Sequence, residues 1–141
     1  MKQYDVTIGI PIYNSVSYIR ASLTSALAQT YPSIEFLLVN DGCDDGTMEI
    51  VNFIIAEHSK GGDVRIISHS ENQGVSASRN QIIDEAKGEY LYFMDSDDFI
   101  EANTIERLMD NARQYDAEIV FGSYEKIEPS GKCITCQYPS L

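Results

Sequence analysis

The sequence is short of basic residues, of cysteine and of any long apolar run, and each shortage excludes something. Ten Lys and Arg stand against 22 Asp and Glu, a formal charge of -12. Such a chain cannot attract a phosphate backbone by charge alone, which argues against nucleic acid as a partner. Three cysteines, Cys43, Cys133 and Cys136, are too few and too odd in number for a disulfide framework, and they fit a reducing compartment. No apolar run reaches the roughly 18 to 20 residues that span a bilayer, so no membrane segment is expected. Met1-Lys2-Gln3-Tyr4 leads straight into a strand pattern rather than a signal peptide. The expectation is a soluble protein of the cytoplasm or of the cytoplasmic face of a membrane. Internal repeats, low-complexity stretches and a linker before residue 125 are missing too. What remains is 141 residues, 43% hydrophobic, enough for one core and too apolar for wholesale disorder.

Apolar runs alternate with helical patterns. Strands are predicted at Val6 to Ile12, Ile34 to Asn40, Val64 to Ser68, Tyr90 to Met94 and Ile119 to Tyr124. Most show little period-2 alternation, as strands buried on both faces should. Between them, Ile19, Leu23 and Ala26, then Ile50, Val51 and Ile54, then Val75, Ile82 and Ala86, then Ile105, Leu108 and Met109 recur near period 3.6. The order predicts an α/β fold, a Rossmann-like, mostly parallel sheet with helices on both faces and right-handed crossovers. Pro32-Ser33, Lys60-Gly61-Gly62 and Gly88 are read as helix stops, and Asn103 with Glu106 as a capping pair. Glu128 to Lys132 reads as a turn, followed by a tail to Leu141 without a partner element. The expected division is residues 1–125 as a ligand-binding half and 126–141 as the start of a second half or a loose tail, the chain stopping mid-fold.

Open parallel sheets bind ligands at the carboxyl ends of their strands, where strand order reverses. Pro11-Ile12-Tyr13-Asn14 follows the first predicted strand, Asn40-Asp41-Gly42-Cys43-Asp44-Asp45-Gly46 the second and Asp95-Ser96-Asp97-Asp98 the fourth. Two carboxylates about 4 Å apart repel by roughly 4 kcal/mol at an effective dielectric near 20, a cost a divalent cation between them removes. Asp95-Ser96-Asp97 suits a hard cation such as Mg²⁺ or Mn²⁺, which fills its remaining positions with water and substrate phosphate. The plainer reading of such aspartates is solvated loop residues or helix caps. What favours the ligand reading is company, including the Asn72-Gln73-Gly74 loop at another strand end.

Four blocks, Ile10 to Asn14, Val39 to Thr47, Asn72 to Asn80 and Asp95 to Asp98, resemble in order and spacing those of the family 2 glycosyltransferases of the GT-A fold, over about residues 5 to 125. The resemblance implies that Tyr13 stacks on a pyrimidine, with Pro11 and Asn14 beside it. It gives Asp41 a hydrogen bond from uracil N3–H, which admits uracil and penalises cytosine. Asp95 would meet the ribose, with Ser96 next to it, and Asp97 a Mn²⁺ or Mg²⁺ ion, Asp95 and Asp98 being further candidate ligands. Arg79 would lie near the nucleotide and Gly74 would allow close backbone approach. The plainer alternatives are a core aromatic for Tyr13, a turn-holding role for Asp41 and a surface salt bridge from Arg79 to Glu85 or Asp84. Asn40 and Cys43 depart from the family, which usually has Asp and Ser there.

The implied function is an inverting, metal-dependent transfer of a sugar from a UDP-sugar donor to a hydroxyl of a saccharide or glycolipid acceptor. The implied general base lies beyond Leu141. Two rivals are a nucleotide-binding regulatory domain without chemistry and a receiver-type phosphoacceptor, which would need acidic residues where Tyr13-Asn14-Ser15 stands. A haloacid-dehalogenase-like phosphatase fits less well, because its nucleophile usually follows the first strand. Cys133-Ile134-Thr135-Cys136 has no second pair and is read as incidental, and His58 and His69 as surface residues.

Overall fold

The computed structural model describes residues 3–138; Met1, Lys2 and the end of the predicted tail, 139–141, lie outside the described residues. The chain divides into two compact units, one through Asn103 and one from Thr104 onward.

In the first unit, β1 (Tyr4–Ile12), β2 (Ile34–Asn40), β3 (Val64–Ser68) and β4 (Gly88–Phe93) form a parallel sheet in the order β3-β2-β1-β4. Helices α1 (Ile19–Leu27), α2 (Thr47–Glu57) and α3 (Val75–Glu85) connect them. Steps from β1 to β2 and from β2 to β3 run in one direction across the sheet, and the step to β4 runs back. Right-handed crossovers therefore put α1 and α2 on one face and α3 on the other. The packing agrees: α1 contacts α2, and α3 contacts β1 and β2.

This double cover is why β1 is buried without a break from Val6 to Ile12. Ile8 and Ile10 stand level with Phe36 and Leu38 on one face. On the other, Leu37, Val39 and Ile82 of α3 pack with Ile67 and Leu91. Each fully buried aliphatic side chain of this kind contributes about 1.5–3 kcal/mol. Gly9 makes room for that layer: a Cβ there would lie 2.4 Å from Ile82 Cγ2.

The amino-terminal end of the sheet is tied by a buried acid. Glu35, 3% exposed, accepts hydrogen bonds from Thr7 Oγ1 at 2.7 Å and from the Lys87 amide at 2.6 Å. Gly88 begins β4 rather than ending a helix, which corrects the reading of it as a helix stop. Its amide bonds Thr7 Oγ1 at 2.9 Å, and a Cβ would strike Thr7 N at 2.4 Å.

The second unit holds α4 (Thr104–Tyr115), with Ile105, Met109 and Ala112 as its buried stripe, and an antiparallel hairpin of β5 (Tyr124–Ile127) and β6 (Cys133–Cys136). Two expectations fail here. Residues 119–123 form no strand, and Ile119 and Phe121 are 71% and 75% exposed; an apolar run names no partner by itself. Nor is the tail partnerless, because β6 pairs with β5 across the predicted turn, where Gly131 has φ 87° and donates to Glu128 O. Cys133 and Cys136, three positions apart on β6, fall on opposite faces of the hairpin.

Candidate functional site

Strand order reverses between β1 and β4, and an open cleft of about 430 Å³ lies at the carboxyl ends of these strands. Pro11, Tyr13, Asn14, Asp41, Gly74, Arg79, Asp95, Ser96 and Asp97 all line it. Of the predicted site residues only Asp98 does not. Tyr13 is 50% exposed rather than packed as a core aromatic.

Asp41 is 2% exposed at the end of β2. Its Oδ1 faces His69 Nδ1 at 2.9 Å and accepts from the Gln73 amide at 2.8 Å, while Oδ2 accepts from the Gly74 amide at 2.9 Å. Burial pushes its pKa up, but the bonds from His69, Gln73 and Gly74 together outweigh this and hold the carboxyl below its usual range. One carboxylate thus ties β2, the residue after β3 and the loop entering α3. Gly74 takes φ 95°, a conformation in which a side chain is strained, and its amide faces the acid.

His69 corrects the surface reading: it is nearly buried, and its backbone N–H bonds Asn40 O at 2.8 Å. His58, half-buried, accepts the Lys60 amide at Nδ1 and so belongs to the turn after α2.

The two departures from the family pattern have structural work. Asn40 Oδ1 accepts the Cys43 amide at 2.9 Å, and Cys43 Sγ takes the Asn14 amide at 3.4 Å. Asn14 holds a left-handed conformation, φ 45°, and its side-chain amide exchanges two bonds with Asp44, one given and one received. Asp45 accepts from the amide and hydroxyl of Thr47, which keeps its carboxyl below the usual range, and Thr47 Oγ1 accepts the Ser15 amide at 2.9 Å.

Across the cleft, the oxygens of Asp95, Asp97 and Asp98 lie within 4.8 Å of one another. Desolvation first, then the charges of Asp97 and Asp95, push the Asp98 carboxyl upward. Ser96 is buried between these acids, and its Oγ lies 2.5 Å from Ser15 Oγ, fixing the acidic loop to the loop after β1. Arg79 pairs with Asp95 at 3.1 Å, not with Glu85 or Asp84; Glu85 is taken by Arg65. Sequence reasoning missed Tyr18 and Ser78, which also line the cleft. Tyr18 precedes α1 and carries no motif. Ser78, on the inner face of α3, has a buried hydroxyl without a hydrogen-bond partner among the described residues.

A parallel sheet with an acidic, glycine-containing cleft at its switch point defines an open α/β domain of the ligand-binding kind. Residues 7–133 match the family described as glycosyl transferase family 2, and the chain belongs to that family. Among curated relatives it is 36% identical over 126 residues to glycosyltransferase GlyG of Streptococcus pneumoniae serotype 4, covering 89% of this chain and 40% of that one. It is 37% identical to glycosyltransferase GlyA of the same organism, over 89% of this chain and 17% of that one. The chain thus spans less than half the length of these relatives. Among solved structures, S. aureus TarS 1-349 in complex with UDP-GlcNAc aligns with a TM-score of 0.72 and 27% identity, over 79% of this chain and 32% of that one. Mannosyltransferase PcManGT from Pyrobaculum calidifontis, in complex with GDP-Man and Mn2+, shares the fold at TM-score 0.68 and 24% identity, over 86% of this chain and 34% of that one. The fold is that of the GT-A glycosyltransferases.

Proposed function

We propose that this chain is the donor-binding part of an inverting, metal-dependent glycosyltransferase that moves a sugar from a UDP-sugar to a hydroxyl of a saccharide or glycolipid acceptor. One observation carries the reading: four motif blocks far apart in sequence converge on a single cleft at the switch point of the sheet. The UDP-GlcNAc held by TarS supports a uridine donor. The half-exposed ring of Tyr13 offers a face for the pyrimidine, Asp41 an acceptor for uracil N3–H, Asp95 an acceptor for the ribose hydroxyls and Arg79 a donor to phosphate or base.

The cluster of Asp95, Asp97 and Asp98 is a donor set of carboxylate oxygens, close enough to converge on one hard cation, Mn²⁺ or Mg²⁺. Such an ion, when bound, offsets the charge that develops on the departing diphosphate. Ser15 and Ser96 hold these acids against the loop after β1, so the diphosphate and sugar are oriented before the acceptor arrives. We place the general base that takes the acceptor proton in the acceptor-binding half of the fold, beyond Leu141.

Isothermal titration tests the reading. UDP is expected to release heat with the protein only when Mn²⁺ or Mg²⁺ is present, and chelation should abolish the signal. Binding of equal strength without metal would remove the metal role of Asp97. Binding without transfer by any longer form of the chain would favour the regulatory alternative.

A further inference from the structure

We propose that His69 is a positioning residue that makes Asp41 an acceptor-only reader with one oxygen facing the ligand, and that it thereby sets the preference of the cleft for uracil over cytosine. The inference rests on the uridine-donor reading above and adds to it the group that fixes base choice.

The geometry carries the argument. An ionised carboxylate has about four lone-pair sites. Three of them on Asp41 are taken: two on Oδ1, by His69 Nδ1 and the Gln73 amide, and one on Oδ2, by the Gly74 amide. The site left for a ligand is therefore on Oδ2, and Asp41 lines the cleft. An acceptor-only carboxylate requires the Nδ1 nitrogen to carry the proton, so the imidazole donates. His69 is held for this: its side chain is 9% exposed, and its amide is anchored to Asn40 O at the end of β2, one residue before Asp41.

Uracil presents N3–H to such an acceptor, whereas cytosine presents a bare N3 and meets lone pair with lone pair. Without the imidazole, Oδ1 would hold one donor instead of two. The carboxyl could then rotate, or take up a proton and donate it to cytosine N3. Loss of His69 should thus cost selectivity as well as affinity, a result that general loosening of the loop would not give.

The test measures UDP and CDP dissociation constants, with saturating Mn²⁺, for the whole chain and three variants. His69→Asn keeps an N–H close to the Nδ1 position. His69→Gln moves its amide outward toward the Nε2 position, and His69→Phe keeps volume without any donor. Gln and Phe are expected to weaken UDP roughly tenfold, the worth of a hydrogen bond to a charged group, while CDP changes little, so the UDP-to-CDP preference falls by a similar factor. Asn should restore most of the preference. If His69→Phe does not fold, the comparison of Gln with Asn decides the question. An unchanged preference in Gln and Phe, or an Asn variant as unselective as Gln, overturns the positioning role while leaving the uridine reading intact. If the unaltered chain binds neither nucleotide, the functional reading fails and this inference with it.

Discussion

Asp41 shows at the scale of one residue how a loop aspartate becomes a structural centre. Its replacement by Ala would strip the Gln73 and Gly74 amides of their acceptor, a loss of about 1–3 kcal/mol. The sign with pH follows from its depressed pKa. The ionised carboxylate contributes stability that is fully present above the ordinary value of 3.8 and lost as pH falls through the lower folded value. Urea titrations of the chain and of Asp41→Ala at pH 7 should therefore differ, and the gap should narrow as pH drops below about 4. UDP affinity should fall in the same variant while Mn²⁺ affinity stays nearly unchanged; equal loss of both would reassign Asp41. Ser15 and Ser96 make a second pair to test. Ser15→Ala and Ser96→Ala should each weaken Mn²⁺ roughly tenfold, as loss of outer-shell partners does. The double variant should lose little more than either single one, because both remove the same bond. The family resemblance pointed to Arg79 and Asp97, which line the cleft, yet not to His69: nothing local distinguishes a histidine in a serine-rich turn from a solvated one. Its partner is 28 residues away.

At the scale of the element, the helices were readable from their period near 3.6 and the four parallel strands as short apolar runs between them. β2 and β3 match their predicted bounds from Ile34 to Asn40 and from Val64 to Ser68. The fifth predicted strand was not legible in the same way. Burial of both faces, which makes an apolar run a strand, is a property of its neighbours, and residues 119–123 have no strand partner among the described residues. Gly9 gives the prediction for this scale. In β1 it looks like a weak point, since a strand glycine has no side chain to pack, but it seats Ile82 of α3 against the sheet. Gly9→Ala should cost about 1–3 kcal/mol by overpacking, read as a lower urea midpoint with unchanged m-value. A partner without Cγ2, in Gly9→Ala combined with Ile82→Ala, should cost less than the sum of the two single changes. An additive double variant would show that Ile82 is not what the glycine accommodates.

At the scale of the whole molecule, charge and ligand meet. Under the proposed function a chain of formal charge -12 has to attract a negatively charged donor, and a cation held by the acidic cluster would make that association favourable. A thermal-shift panel of nucleotide sugars with and without Mn²⁺ should show stabilisation by uridine donors with metal, about 2.7 kcal/mol at a hundredfold excess over Kd. No shift with any donor would end the proposal. The sequence by itself determined the α/β class and the alternation of elements, because hydrophobic period and turn chemistry are written in adjacent positions, and the resemblance of its four motif blocks pointed to most of the residues that line the cleft. Only the tertiary structure decided that Asp41 is held by His69 and the amides of Gln73 and Gly74, that Ser96 meets Ser15, and that Arg79 turns to Asp95. Those contacts join separate crossovers of the sheet, and the distance between their partners is set by how strands stack side by side, which no stretch of neighbouring residues encodes.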